Sequence, residues 1–171
     1  HLTQVCNKSR FLEIIHDYIV FDAGVKKLCR HNQYFGVRTS QEFVRRREGG
    51  IIWHTQGSGK SLTMVWLTKW IRENIKDARV LIITDRTELD QQIEKVFHGV
   101  DEKIHRILAT GSQTGGELLL QSLNATTPWL MCSLIHKFGS KDDAPAGADT
   151  SDFIAELKKS VPSDFSAKGN I

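Results

Sequence analysis

The chain has 171 residues, 40% of them hydrophobic and 25% charged, with a mean hydropathy of -0.30. That balance belongs to a folded, water-facing domain able to bury roughly 70% of its unfolded surface, and it excludes disordered and collagenous chains. Net charge is +3, too small to demand a polyanionic partner.

Taken in chain order, Phe11, Ile14, Ile15, Tyr18 and Ile19 recur at steps of three and four and predict a short helix, broken at Val20–Gly24. A second helical stretch is expected from Val25 to Arg46, polar inside and interrupted at Gly36. The window from Lys26 to Arg47 holds seven basic residues (Lys26, Lys27, Arg30, Arg38, Arg45, Arg46, Arg47) against Glu42 alone. A solvated helix face accounts for that charge as well as a polyanion site does. Gly49-Gly50 ends the stretch, and Ile51-Ile52-Trp53 is expected as a short buried strand.

Leu62, Trp66 and Trp70, with Leu67, Ile71 and Ile75 alongside, predict a long amphipathic helix ending near Asn74–Asp77. Val80–Thr84 is the clearest strand, β-branched and free of charge. Leu89, Ile93, Val96 and Phe97 mark the inner face of the next helix. Ile104–Ala109 and Trp129–Leu134 are further strands, Gly115–Leu123 a helix between them, 139–150 a loop and 152–160 a last helix. Strands alternating with helices imply an α/β fold, a parallel sheet with helices on both faces.

No apolar run approaches the ~20 residues of a bilayer span, and His1-Leu2-Thr3-Gln4 is not a signal peptide. Cys6, Cys29 and Cys132 have neither zinc-ligand nor disulfide spacing, so a reducing cytoplasm and no membrane are expected.

Thr55-Gln56-Gly57-Ser58-Gly59-Lys60-Ser61, between an expected strand and an expected helix, has the pattern of a phosphate-binding loop. Gly57 and Gly59 permit backbone conformations in which successive N–H groups face a phosphate, and the helix N-terminus adds partial positive charge. Lys60 would reach the outer phosphates and the Ser61 hydroxyl a magnesium ion. His54 stands where the usual pattern has glycine. Upstream, Gln33 lies among His31, Tyr34 and Phe35; a carboxamide can pair with the N6 and N7 edge of adenine, although a glutamine on a helix is more often simply solvated.

Cys29–Val37, Gly50–Met64, the run Ile82–Gln92 and Ser133–Phe138 together resemble the R (restriction, or endonuclease) subunit of type I restriction enzymes over nearly the whole chain. The resemblance implies the first RecA-like lobe of a superfamily 2 motor, a P-loop NTPase lobe that is incomplete here. Gln33 would be its adenine-recognising glutamine, Gln56, Gly57, Ser58, Gly59, Lys60 and Ser61 its ATP site, and Asp85 and Arg86 its motif Ia beside DNA. It further implies ATP and Mg2+, double-stranded DNA, modification and specificity subunits as partners, and a bacterial or archaeal cytoplasm. Residues 1–24 would be a helical linker from a nuclease domain and 25–171 the motor lobe, cut before its DEAH-type box. The fragment alone is then expected to be inactive. A small nucleotide kinase or GTPase-like protein, with Asp85 as the magnesium acid after the Val80–Thr84 strand, is the alternative. The paucity of arginines after Arg86 and the lack of an Asn-Lys-x-Asp motif weigh against it.

Overall fold

The computed structural model describes residues 7–107 and 115–135. They fall into two compact units, one built from residues 7–78 and 95–102, the other from 79–94, 103–107 and 115–135.

The first unit opens with helix α1 (Lys8–Asp17), whose first turn is capped by the Asn7 side chain accepting from the Ser9 N–H. The chain then folds into a hairpin of β1 (Ile19–Asp22) and β2 (Val25–Leu28), antiparallel with Asp22 opposite Val25. Ala23 and Gly24 both have positive φ (49° and 81°), the two-residue turn that matches strand twist. Residues 25–28 are therefore strand where a helix was expected. Helix α2 (His31–Arg46) follows and runs through Gly36 without a break. One glycine costs a helix only about 1 kcal/mol. Here it makes room: a Cβ on Gly36 would stand 3.3 Å from the His54 ring.

Helix α3 (Lys60–Asn74) packs on α2 and buries Val65, Trp66, Trp70 and Ile71, close to the periodicity expected. Tyr18, Tyr34 and Trp66 form an aromatic run at its centre, with ring centroids 5.0 Å (Tyr18–Tyr34) and 6.3 Å (Tyr18–Trp66) apart. Burying one such ring removes ~200 Å² from water, a gross contribution of about 5 kcal/mol. The basic window is mostly used up locally. Arg38 pairs with Glu13, Arg46 with Glu48 and Lys27 with Asp22, and the Arg45 guanidinium lies 4.8 Å from the Trp70 ring centre.

The expected strand Ile51-Ile52-Trp53 is not formed. Residues 51–55 have no regular secondary structure, and Ile51 and Trp53 are each 90% exposed. A three-residue apolar run has no stability as a strand without a hydrogen-bonded neighbour, and no strand among the described residues pairs with it.

The second unit holds the parallel sheet. Strands β3 (Val80–Thr84), β4 (His105–Arg106) and β5 (Leu130–Leu134) lie in the order β3-β5-β4, all neighbours parallel, with Val80 opposite Leu130 and His105 opposite Met131. Every residue of the central strand β5 is buried, as a strand covered on both faces should be. Ile107, Leu119 and Met131 form the core, with Leu81, Leu118 and Leu123 against it. The flanking helices are α4 (Thr87–Gly99), whose last residues belong to the first unit, and α5 (Gly115–Asn124). The α/β class with a parallel sheet is thus as expected.

On α4 the inner face differs from the expected one: Leu89 is 42% exposed while Asp90 is fully buried with Ile93 and Phe97. Asp90 accepts from Arg106 Nε at 2.5 Å, with Glu94 3.8 Å from the same guanidinium. The ion pair turns the helix so that a carboxylate points inward. The expected loop at 139–150, the helix at 152–160 and the C-terminal part of Ile104–Ala109 lie outside the described residues.

Candidate functional site

Residues 53–58 of the loop and the N-terminus of α2 border an open cavity of about 670 Å3, lined by Arg30, His31, Asn32, Trp53, His54, Thr55, Gln56, Gly57 and Ser58. The loop takes its shape from two left-handed residues. Gly57 (φ 76°) and Gly59 (φ 85°) adopt backbone that L side chains rarely occupy, so the loop closes tightly and Gly59 serves as the N-cap of α3. The Ser58 N–H donates to the Thr55 carbonyl at 3.3 Å. The N–H groups of Lys60 and Ser61 open α3 at its positive end, a setting that favours an anion.

Lys60 begins α3, and its ammonium donates to the carbonyls of His54 (3.2 Å) and Thr55 (3.0 Å), spanning the mouth of the loop. These carbonyls hold the cation where phosphate oxygens would compete for it. Ser58 Oγ is buried and has no hydrogen-bond partner, an unspent donor inside the loop. Together the two left-handed glycines, the poised ammonium and the orphan hydroxyl suit a polyphosphate. For a metal the donors are fewer. Ser61 is half-buried one residue beyond Lys60, and the described residues include no cluster of three or more His, Cys, Asp or Glu side chains.

Gln33 sits beneath the loop rather than on the cavity wall. It is 3% exposed, its Nε2 donates to the Gly59 carbonyl at 2.9 Å, and its Oε1 accepts from the Arg30 N–H at 2.7 Å. In this arrangement its amide edge meets protein and not a base. Arg30, His31, Asn32 and Trp53 instead border the cavity beside the loop. Sequence reasoning gave them no such place, because Trp53 counted as part of a buried strand.

Asp85 and Arg86 lie in the second unit, between β3 and α4, 63% and 74% exposed at their side chains and 3.6 Å apart. Asp85 is thus in the solvent-facing turn that follows β3. No helix among the described residues is long and apolar enough to cross a membrane.

Comparison with known proteins gives a consistent set of matches. The sequence profile of the SWI2/SNF2 ATPases matches residues 32–161. A Methanocaldococcus jannaschii protein bearing the name of the type I restriction enzyme MjaIXP endonuclease subunit is 29% identical over 147 residues, covering 78% of this chain and 13% of the relative. The type I restriction enzyme HindI endonuclease subunit of Haemophilus influenzae is 31% identical over 102 residues, 50% of this chain and 10% of the relative. A Staphylococcus saprophyticus relative, the type I restriction enzyme SsaAORF53P endonuclease subunit, reaches 41% identity over 49 residues, 29% of this chain and 5% of its own. The chain spans about a tenth of the length of the curated relatives it matches.

Proposed function

Because the chain belongs to the SWI2/SNF2 ATPase family, we propose that it is the ATP-binding part of the DNA-translocating motor in a type I restriction endonuclease subunit. The observation that carries this reading is the loop: Gly57 and Gly59 in left-handed backbone, closed by Lys60 at the positive end of α3. The relatives' names supply the restriction system, and the family profile supplies the nucleotide chemistry.

Backbone N–H groups of Gly57–Ser61 would receive the phosphate oxygens. Lys60 would leave the His54 and Thr55 carbonyls for the outer phosphates, where its charge offsets the negative charge that spreads over the transferring phosphoryl group. The Ser61 hydroxyl would hold Mg2+, which would supply charge neutralisation at the phosphates. The base would occupy the cavity beside Arg30, His31, Asn32 and Trp53. Asp85 and Arg86, exposed on the other unit, would contact the DNA backbone. Residues 1–24 would link this lobe to a nuclease domain, and residues 25–171 would be the first motor lobe. Modification and specificity subunits would complete the enzyme, in a bacterial or archaeal cytoplasm. Membership of the SWI2/SNF2 family disfavours the kinase or GTPase alternative with Asp85 as a magnesium acid.

The test is phosphate release by the full-length protein carrying this chain, with and without duplex DNA. Lys60→Ala should abolish DNA-stimulated turnover and leave the circular dichroism spectrum unchanged. Normal ATP turnover by the variant would remove the loop assignment.

A further inference from the structure

Residues 51–55 form no strand, yet their side chains alternate as an extended chain requires. Ile51 and Trp53 are each 90% exposed, while Ile52 and His54 turn toward α2. Both reach the same place. A Cβ built on Gly36 would stand 3.3 Å from His54 Cε1 and Nε2 and 3.6 Å from Ile52 Cγ2. The bare backbone of Gly36 is thus a notch in α2, and two alternate side chains of the incoming segment sit against it. No strand among the described residues pairs with this segment, so side-chain packing at the notch does what a ladder of backbone hydrogen bonds would do elsewhere.

His54 stands where the usual phosphate-loop pattern has glycine, and a glycine could not reach the notch. Its Nδ1 is buried without a hydrogen-bond partner, so the ring is held there by its shape and not by a bond from that nitrogen. The same residue faces the loop through its backbone. Its carbonyl accepts from the Lys60 ammonium at 3.2 Å, beside the Thr55 carbonyl at 3.0 Å. One residue therefore ties α2 to the acceptors on which the Lys60 ammonium rests, and a shift of the ring shifts the carbonyl with it.

We propose that His54 is a positioning residue: its ring, seated at Gly36, anchors the start of the phosphate loop on α2 and thereby sets where the Lys60 ammonium is held. The proposal rests on the loop being a nucleotide site. It gives the departure from glycine at position 54 a purpose, since the anchor replaces the missing strand pairing and spares the loop an ordering cost on binding.

The experiment measures equilibrium binding of inorganic tripolyphosphate with magnesium to the full-length protein. The variants are His54→Gly, His54→Phe, Gly36→Ala and the double variant His54→Gly/Gly36→Ala, each also melted in urea. Freeing the backbone at residue 54 should weaken binding about fivefold in His54→Gly. Phenylalanine keeps a flat ring, so His54→Phe should stay within about twofold of the wild type. In Gly36→Ala the ring must give by a few tenths of an ångström, and affinity should fall about threefold. That loss should vanish in the His54→Gly background, where nothing is left to crowd.

Stability separates positioning from mere packing. Alanine is the better helix former, which offsets the crowding, so Gly36→Ala should keep its urea midpoint within roughly 0.5 M of the wild type while it loses affinity. A midpoint that falls further, together with the affinity, would overturn the proposal in favour of a plain packing role. Wild-type affinity in His54→Gly would overturn it too, as would additive losses in the double variant. A His54→Phe variant as weak as His54→Gly would assign the effect to the imidazole nitrogens and overturn it as well. Failure of the wild type to bind tripolyphosphate would instead sink the nucleotide-site reading.

Discussion

Replacing Arg106 by leucine should destabilise the protein far more than an ordinary surface substitution. Asp90 is fully buried on α4, and the Arg106 guanidinium, 18% exposed at the end of the sheet, is its partner at 2.5 Å. Cys132 lies beside them in β5, its thiol pushed up to about 12, by burial first and then by the Asp90 carboxylate. Without Arg106 that carboxylate stays buried beside the Cys132 thiol. Removing one partner of a buried pair costs about 3–5 kcal/mol, a large share of the ~5–15 kcal/mol that holds a domain together. With a urea slope near 2 kcal/mol/M, the unfolding midpoint should fall by roughly 2 M. The double variant Asp90→Leu/Arg106→Leu should recover most of the loss, since apolar replacement of a buried pair is close to neutral. Urea melts followed by far-UV circular dichroism give both numbers. A loss under about 1 kcal/mol for Arg106→Leu, or a double variant as weak as the single, would refute the account of this pair.

Further outcomes follow from other contacts. Trp66, 1% exposed between Tyr18 and α2, should cost about 3–5 kcal/mol when replaced by alanine, read by the same urea melts; a cost below about 1 kcal/mol would mean that the aromatic run is not the core of its unit. The Cys132 thiol is held neutral up to about 12, so its contribution is fully present below the ordinary thiol value of about 8.5 and is lost as pH rises toward the folded value. Cys132→Ala should therefore flatten the fall in stability across that alkaline window, and an unchanged slope in melts at successive pH values would contradict it. Arg86→Ala, at a side chain 74% exposed, should leave DNA-free ATP turnover intact and reduce its stimulation by duplex DNA; equal stimulation in wild type and variant would remove Arg86 from the DNA contact.

What the sequence disclosed depended on whether the deciding interaction was local. Strand β3 was legible because Val80–Thr84 is a β-branched run that needs no distant partner to be recognised. Helix α3 was legible from the loop before it and the spacing of Leu62, Trp66 and Trp70. The hairpin at Ile19–Leu28 was not, because the helical spacing of Phe11–Ile19 masked two short strands joined by Ala23-Gly24. Leu89 looked inward by periodicity, yet Arg106, 16 residues beyond Asp90, decides which face of α4 is buried. Trp53 and its neighbours carried strand-forming residues, but no pairing strand among the described residues meets them. At the candidate site, the loop residues could be named from their pattern alone. The position of Gln33 under Gly59 could not, because it depends on how α2 and α3 pack.

Equilibrium binding of ATP with magnesium, compared between wild type and Lys60→Ala in the full-length protein, tests the central claim most directly. The ammonium that now rests on the His54 and Thr55 carbonyls is predicted to move to the phosphates, so the wild type should bind and the variant should bind at least about tenfold more weakly. Equal affinity in the two proteins, or no binding by the wild type, would contradict a nucleotide site at this loop.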